Sequence, residues 1–137
     1  MDENTKQSYG YLALNVTSAD GAIPIGDATV AVRLIEGGVP RIIAVLLTDE
    51  SGQTPEIIIA TPPVDLSLDP SPDERPYSLV DIEVTAYGYY SSANINVPIF
   101  PGTKSVQNVN MIALPEDEQG GPPSPNVIVF ESEAPSL

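Results

Sequence analysis

The chain has no cysteine, no histidine and no tryptophan. Without cysteine there is no disulfide framework and no thiolate nucleophile, and nothing about redox compartment can be read from cysteine usage. Without histidine the usual general base and the commonest transition-metal ligand are missing. Zinc, which favours Cys and His donors, is disfavoured on the same ground. Basic residues are scarce as well: 5 Lys and Arg stand against 19 Asp and Glu, a formal charge of -14 over 137 residues. Such a surface repels phosphate backbones and anionic lipid, so no nucleic acid partner is expected. Basic proteins, hydroxyl-rich glycans and divalent cations remain open, and acidity also serves plain solubility. No apolar run reaches membrane-spanning length, so no membrane insertion is expected. The N-terminus MDENTKQSYG has neither a basic n-region nor an apolar core, so no signal peptide is read there and a cytoplasmic location is expected.

What is present is period-two alternation rich in β-branched residues, the mark of strands with one buried face. In GYLALNVTS (10–18), Gly10, Leu12, Leu14 and Val16 share one face. After the turn-rich ADGAIPIGD (19–27), the strand ATVAVRLIE (28–36) places Ala28, Val30, Val32 and Leu34 inward. Gly37 and Gly38 turn the chain into PRIIAVLLTD (40–49), which is apolar on both faces and is therefore expected to be central in its sheet. PEIIIA (55–60) is the next short strand, followed by a proline-rich loop over 61–76. YSLVDIEVTAYGYY (77–90) points Val80, Ile82, Val84 and Ala86 one way and Asp81, Glu83 and Thr85 the other. SSANINVPIF (91–100) and KSVQNVNMIAL (104–114) complete the set, the last with Val109, Met111 and Ala113 expected inward. No segment carries a capped 3.6-residue period, so seven short strands in an all-β sandwich are predicted.

The expected organisation is a flexible N-terminus (1–8), one sandwich (9–115) and an acidic, Pro- and Gly-rich tail (116–137). Within that tail NVIVF (126–130) is an apolar, β-prone island. Val127, Ile128, Val129 and Phe130 are candidates for docking on a sheet edge of this chain or of a neighbouring one, or for packing locally.

The order of these signals resembles the carboxypeptidase regulatory-like domains. The resemblance runs over 10–114 and is carried by four features. They are Pro24, Gly26 and Ala28 before the second long strand; a strand ending in Thr48, Asp49 and Gly52; the pair Gly88-Tyr89; and a closing strand VQNVNMIAL (106–114). It implies a transthyretin-like (prealbumin-like), seven-stranded antiparallel Greek-key sandwich. TDESGQTPEIIIATPP and NVPIFPGTKSVQNVNMIAL are also similar to small domains of Firmicutes that accompany spore cortex-lytic and peptidoglycan-binding proteins. That likeness implies association with spore or envelope.

The polar break TDESGQT (48–54) combines carboxylates, hydroxyls and a glycine. A calcium loop would need alternating oxygen donors and a distal bidentate acid, which the following PEIII does not supply. A structural turn is expected instead, with Thr48 ending the strand, Asp49 capping backbone N–H groups and Gly52 supplying a positive φ. Asp65, Asp69, Asp73 and Glu74 crowd the proline-rich loop, either as a weak Ca²⁺ or basic-partner site or as solvated charge. Asp81 and Glu83 lie on one strand face, whereas glycoside hydrolysis needs two carboxylates across a cleft. Tyr87, Tyr89 and Tyr90 form the best candidate ligand surface, with core packing as the simpler alternative.

No catalytic residue, cofactor site or metal site is expected. The leading expectation is a non-catalytic accessory module binding protein or cell-wall glycan. The alternatives are an assembly subunit joined by edge-strand pairing through 126–130, a carbohydrate-binding module and, weakest, a carboxylate-only hydrolase.

Overall fold

The computed structural model describes residues 8–62, 76–115 and 127–131. These residues form nine strands and no helix: β1 (Ser8–Ser18), β2 (Ile23–Pro24), β3 (Thr29–Glu36), β4 (Val39–Leu47), β5 (Ile57–Thr61), β6 (Ser78–Thr85), β7 (Ser91–Ile99), β8 (Lys104–Met111) and β9 (Val127–Glu131). Seven of them fall where the alternation predicts strands. The two additions are β2, too short to show any period, and β9, within the apolar island of the tail.

One sheet is built around β1. Its start pairs antiparallel with β5, its end with β2, and residues Tyr11–Ser18 pair in parallel with β8 along the opposite side. The other sheet runs β4-β3-β6-β7-β9. Its first three pairings are antiparallel, while β9 runs parallel to β7. The sheets are therefore mixed, not wholly antiparallel as expected. Alternation fixes which face of a strand is buried but is blind to strand direction, which depends on how far the connection travels.

Alternate residues of β1, β3, β5 and β6 meet in one core. Leu12, Leu14 and Val16 of β1 join Val30 and Val32 of β3, Val80, Ile82 and Val84 of β6, and Ile59 of β5. The tight β3–β4 hairpin follows from Gly37 and Gly38, both at positive φ (59° and 81°) between the paired residues Glu36 and Val39. Two positive φ values in a two-residue loop match the right-handed twist of the flanking strands.

Two sequence expectations are corrected. β4 is not central: among the described residues it pairs only with β3 and forms the sheet edge, leaving Val39, Ile42, Val45 and Leu47 exposed. An apolar edge strand and a doubly buried strand look alike in sequence, because both read as continuous aliphatics. Ala113 is exposed, whereas Leu114 is buried at 4 %. The alternation lapses because β8 ends at Met111, and the chain continues through a bridge from Ala113 to Tyr89. The N-terminal residues 1–7, loop residues 63–75 with Asp65, Asp69, Asp73 and Glu74, and tail residues 116–126 and 132–137 lie outside the described residues.

Candidate functional site

The polar break after β4 is a latch between loops and sheet. Asp49 Oδ1 accepts the backbone N–H groups of Ser51 and Gln53, both at 2.9 Å. Gly52 has φ 77°, and a Cβ there would run into the carbonyl oxygen of Val16. That close approach lets Val16 N donate to Gly52 O at 2.7 Å. Thr48 does more than end a strand. Its buried hydroxyl donates to Ile25 O at 2.6 Å and accepts Ala28 N at 2.9 Å, tying the loop before β3 to the end of β4. Among the described residues, no three acidic side chains come together as a metal-binding group. Asp81 accepts Asn96 N at 3.1 Å and Glu83 faces Arg33 at 3.6 Å, so each has a structural partner on its own sheet.

The three tyrosines differ in burial. Tyr87 stands at a turn, 69 % exposed. Tyr89 packs against the core, its hydroxyl 3.5 Å from Ser18 Oγ. Tyr90 is half-buried and its N–H donates to Ile112 O at 2.9 Å. The backbone of this segment ties the end of β6 to the strand leaving β8. Of the tail candidates, Val127 to Phe130 pair in register with Ser91 to Asn94 of β7 in the same chain. Ile128 is half-buried, and Val129 and Phe130 are exposed.

The sequence reading missed a cleft between β8 of one sheet and the β7–β9 edge of the other. It measures about 370 Å³, and its lining includes Ser92, Asn94, Gln107, Asn108, Ile112 and Phe130. None of the described lining residues is charged, in a chain whose net charge is -14. At its floor Ser92 and Asn94 are 2 % and 6 % exposed. Ser92 Oγ and Asn94 Nδ2 have no hydrogen-bond partner among the described residues. Ser92 and Asn94 are the register partners of Ile128 and Phe130, which offer them no polar group. Leaving such groups unpaired costs about 1–3 kcal/mol each. A β-bulge follows at once: Ile95 and Asn96 oppose Asp81, with Asn96 at φ 58°. Bulges of this kind re-aim side chains beside sites. The legible signal was polar residues at inward positions: Ser92 and Asn94 keep step with Val84 and Ile82 across the ladder.

These strands define the chain's class as an all-β sandwich of two mixed sheets. Solved structures of the same general fold are similar to it. Catechol 1,2-dioxygenase from Acinetobacter sp. ADP1 aligns with a TM-score of 0.54 at 12 % identity, over 95 % of this chain and 60 % of that one. The enzyme from Acinetobacter radioresistens gives 0.52 at 16 %, over 96 % and 61 %. A minor pilin from Streptococcus agalactiae gives 0.46 at 17 %, over 80 % and 46 %. The chain thus spans less than two thirds of the length of each of these proteins. At such identities the dioxygenases inform the fold alone. No family model matches the chain, and no curated protein matches it in sequence.

Proposed function

We propose that the chain is a non-catalytic interaction and assembly module that pairs with a second copy of itself through the free edge of β4. The observation that carries this reading is the row Ile42, Val45 and Leu47, exposed at 55 %, 60 % and 59 % on an edge strand. An edge strand offers unpaired N–H and C=O groups to another strand, and proteins usually guard such edges with charge, proline or a bulge. Here Pro40 and the irregularity opposite Val32/Arg33 guard the first half only. Residues 42–47, IIAVLL, hold no charge and no proline.

Charge favours this edge for self-pairing. The β3–β4 segment 29–47 contains Arg33 and Arg41 against Glu36, a net of +1, while the whole chain carries -14. A twofold contact at β4 therefore brings together a part of each copy that carries no net negative charge. Support for the non-catalytic reading lies in composition: neither histidine nor cysteine is available as base or nucleophile. The family we favour is the carboxypeptidase regulatory-like one, with its transthyretin-like Greek-key topology. The support is the ordered set of Pro24, Gly26, Ala28, Thr48, Asp49, Gly52, Gly88 and Tyr89. A cell-wall or spore-cortex setting in Firmicutes is proposed on sequence resemblance alone.

Sedimentation velocity across a concentration series tests the assembly. The wild-type chain is expected to form a weak dimer that strengthens with salt, because salt screens the acidic surfaces and leaves apolar contacts intact. The Val45→Lys/Leu47→Lys variant is expected to stay monomeric. A wild type that is monomeric at every concentration, or a variant that dimerises equally well, would overturn the reading.

A further inference from the structure

We infer that the cleft between β8 and the β7–β9 edge binds a neutral saccharide ring, with Ser92 and Asn94 as its hydrogen-bonding floor and Phe130 as its apolar wall. The inference gives the carbohydrate-binding alternative a site, and it does not depend on β4, which lies at the opposite edge of the same sheet. Its volume of about 370 Å³ falls in the range of small-ligand pockets. It is far larger than the space one satisfying water needs.

The chemistry of the lining selects the ligand class. Among the described lining residues neither an anion nor a cation finds a counter-charge. Asn94 Nδ2 requires an acceptor, and Ser92 Oγ takes either role. A hydroxyl is donor and acceptor in one atom, so adjacent ring hydroxyls answer both groups together. Gln107, on the inward side of β8, extends the same amide chemistry toward the rim, whereas the Asn108 side chain lies on the outer side, where its Oδ1 accepts from Asn15 Nδ2 at 3.4 Å. Phe130, 43 % exposed, offers a ring face to the C–H face of a sugar, and Ile112 adds apolar lining. The floor atoms are shielded in the free molecule, so ligand entry requires the cleft wall to give way.

The test is a titration of the full ¹⁵N-labelled chain, followed by amide shifts, with three probes. They are the N-acetylglucosamine trimer, the glucose trimer, and a capped pentapeptide of alternating threonine and valine. Saturable shifts with at least one sugar are expected at Ser92, Asn94, Gln107 and the Asn94 side-chain amide. Asn94→Ala is expected to weaken that binding about tenfold or more, the size of one lost buried hydrogen bond. Gln107→Ala serves as the second variant if Asn94→Ala fails to fold. Val106→Ala, on the outer face of β8, leaves the titration unchanged. No shift with either sugar, sugar binding undiminished in both cleft variants, or shifts along β8 with the peptide alone would overturn the inference. A monomeric wild type in sedimentation would leave it standing.

Discussion

At the scale of single residues, the latch around Thr48 sets the clearest expectations. Gly52→Ala puts a Cβ against the Val16 carbonyl and forces a positive φ on a residue that rarely adopts it. The backbone conformation alone costs about 1–3 kcal/mol, and the collision adds to it. Urea unfolding should show a loss at least that large, and a change within about 0.5 kcal/mol would contradict the geometry. Thr48→Val leaves the Ala28 N–H and the Ile25 carbonyl unpaired in a buried place, at about 1–3 kcal/mol for each. Asp49→Ala loses an exposed cap, for about 0.5–2 kcal/mol. Thr48 should therefore outrank Asp49 in a stability series. The Asp49 and Gly52 roles were legible because turn chemistry is local. The double hydrogen bond of Thr48 was not, because its partners lie 20 and 23 residues away. Asn94→Val removes an unpaired buried amide from a strand and suits β geometry, so it should raise stability by about 1–3 kcal/mol in the same assay. A loss there would show that the Asn94 amide has a partner.

At the scale of elements, β9 is a compromise. Its Ile128 is only half-buried and its Phe130 is 43 % exposed, so the apolar gain falls short of the roughly 1.5–3 kcal/mol that full burial of each would bring. Against that gain stand the unpaired Ser92 and Asn94 over which it lies. Truncation after Pro115 should thus change unfolding stability by less than about 2 kcal/mol, the difference between terms of similar size. A larger loss would mean that β9 is integral to the sandwich. The existence of β1, β3, β6 and β7, and the buried faces of β1, β3 and β6, were readable, because β-branched alternation reports burial directly. Val30, Val32, Val80, Ile82 and Val84 all sit where that period places them. The edge position of β4 and the parallel course of β8 and β9 were not, since both are decided by neighbours remote in sequence. The cleft stayed hidden for the same reason: Ser92 and Asn94 meet Gln107 only once two sheets are stacked.

At the scale of the whole molecule, the imbalance of 19 acidic against 5 basic residues governs both stability and association. Self-repulsion of this charge opposes compactness and opposes contact between copies. Raising ionic strength from about 0.01 M to about 0.15 M shortens the screening length from about 30 Å to about 8 Å. The melting temperature should rise over that range, and a fall would indicate that the ion pairs Arg33–Glu83, Arg41–Glu36 and Lys104–Glu56 outweigh the net repulsion. Exposed pairs of this sort contribute little, so the rise is expected. The most direct test of the assembly claim is hydrogen–deuterium exchange of the β4 amides at low and high protein concentration. An edge strand leaves its outward N–H groups open to solvent, so in the monomer the outward amides of residues 44–47 exchange fast. The account predicts that they slow as concentration rises, with no matching change in β6. Exchange at 44–47 that is independent of concentration, across the range where sedimentation reports association, would contradict it.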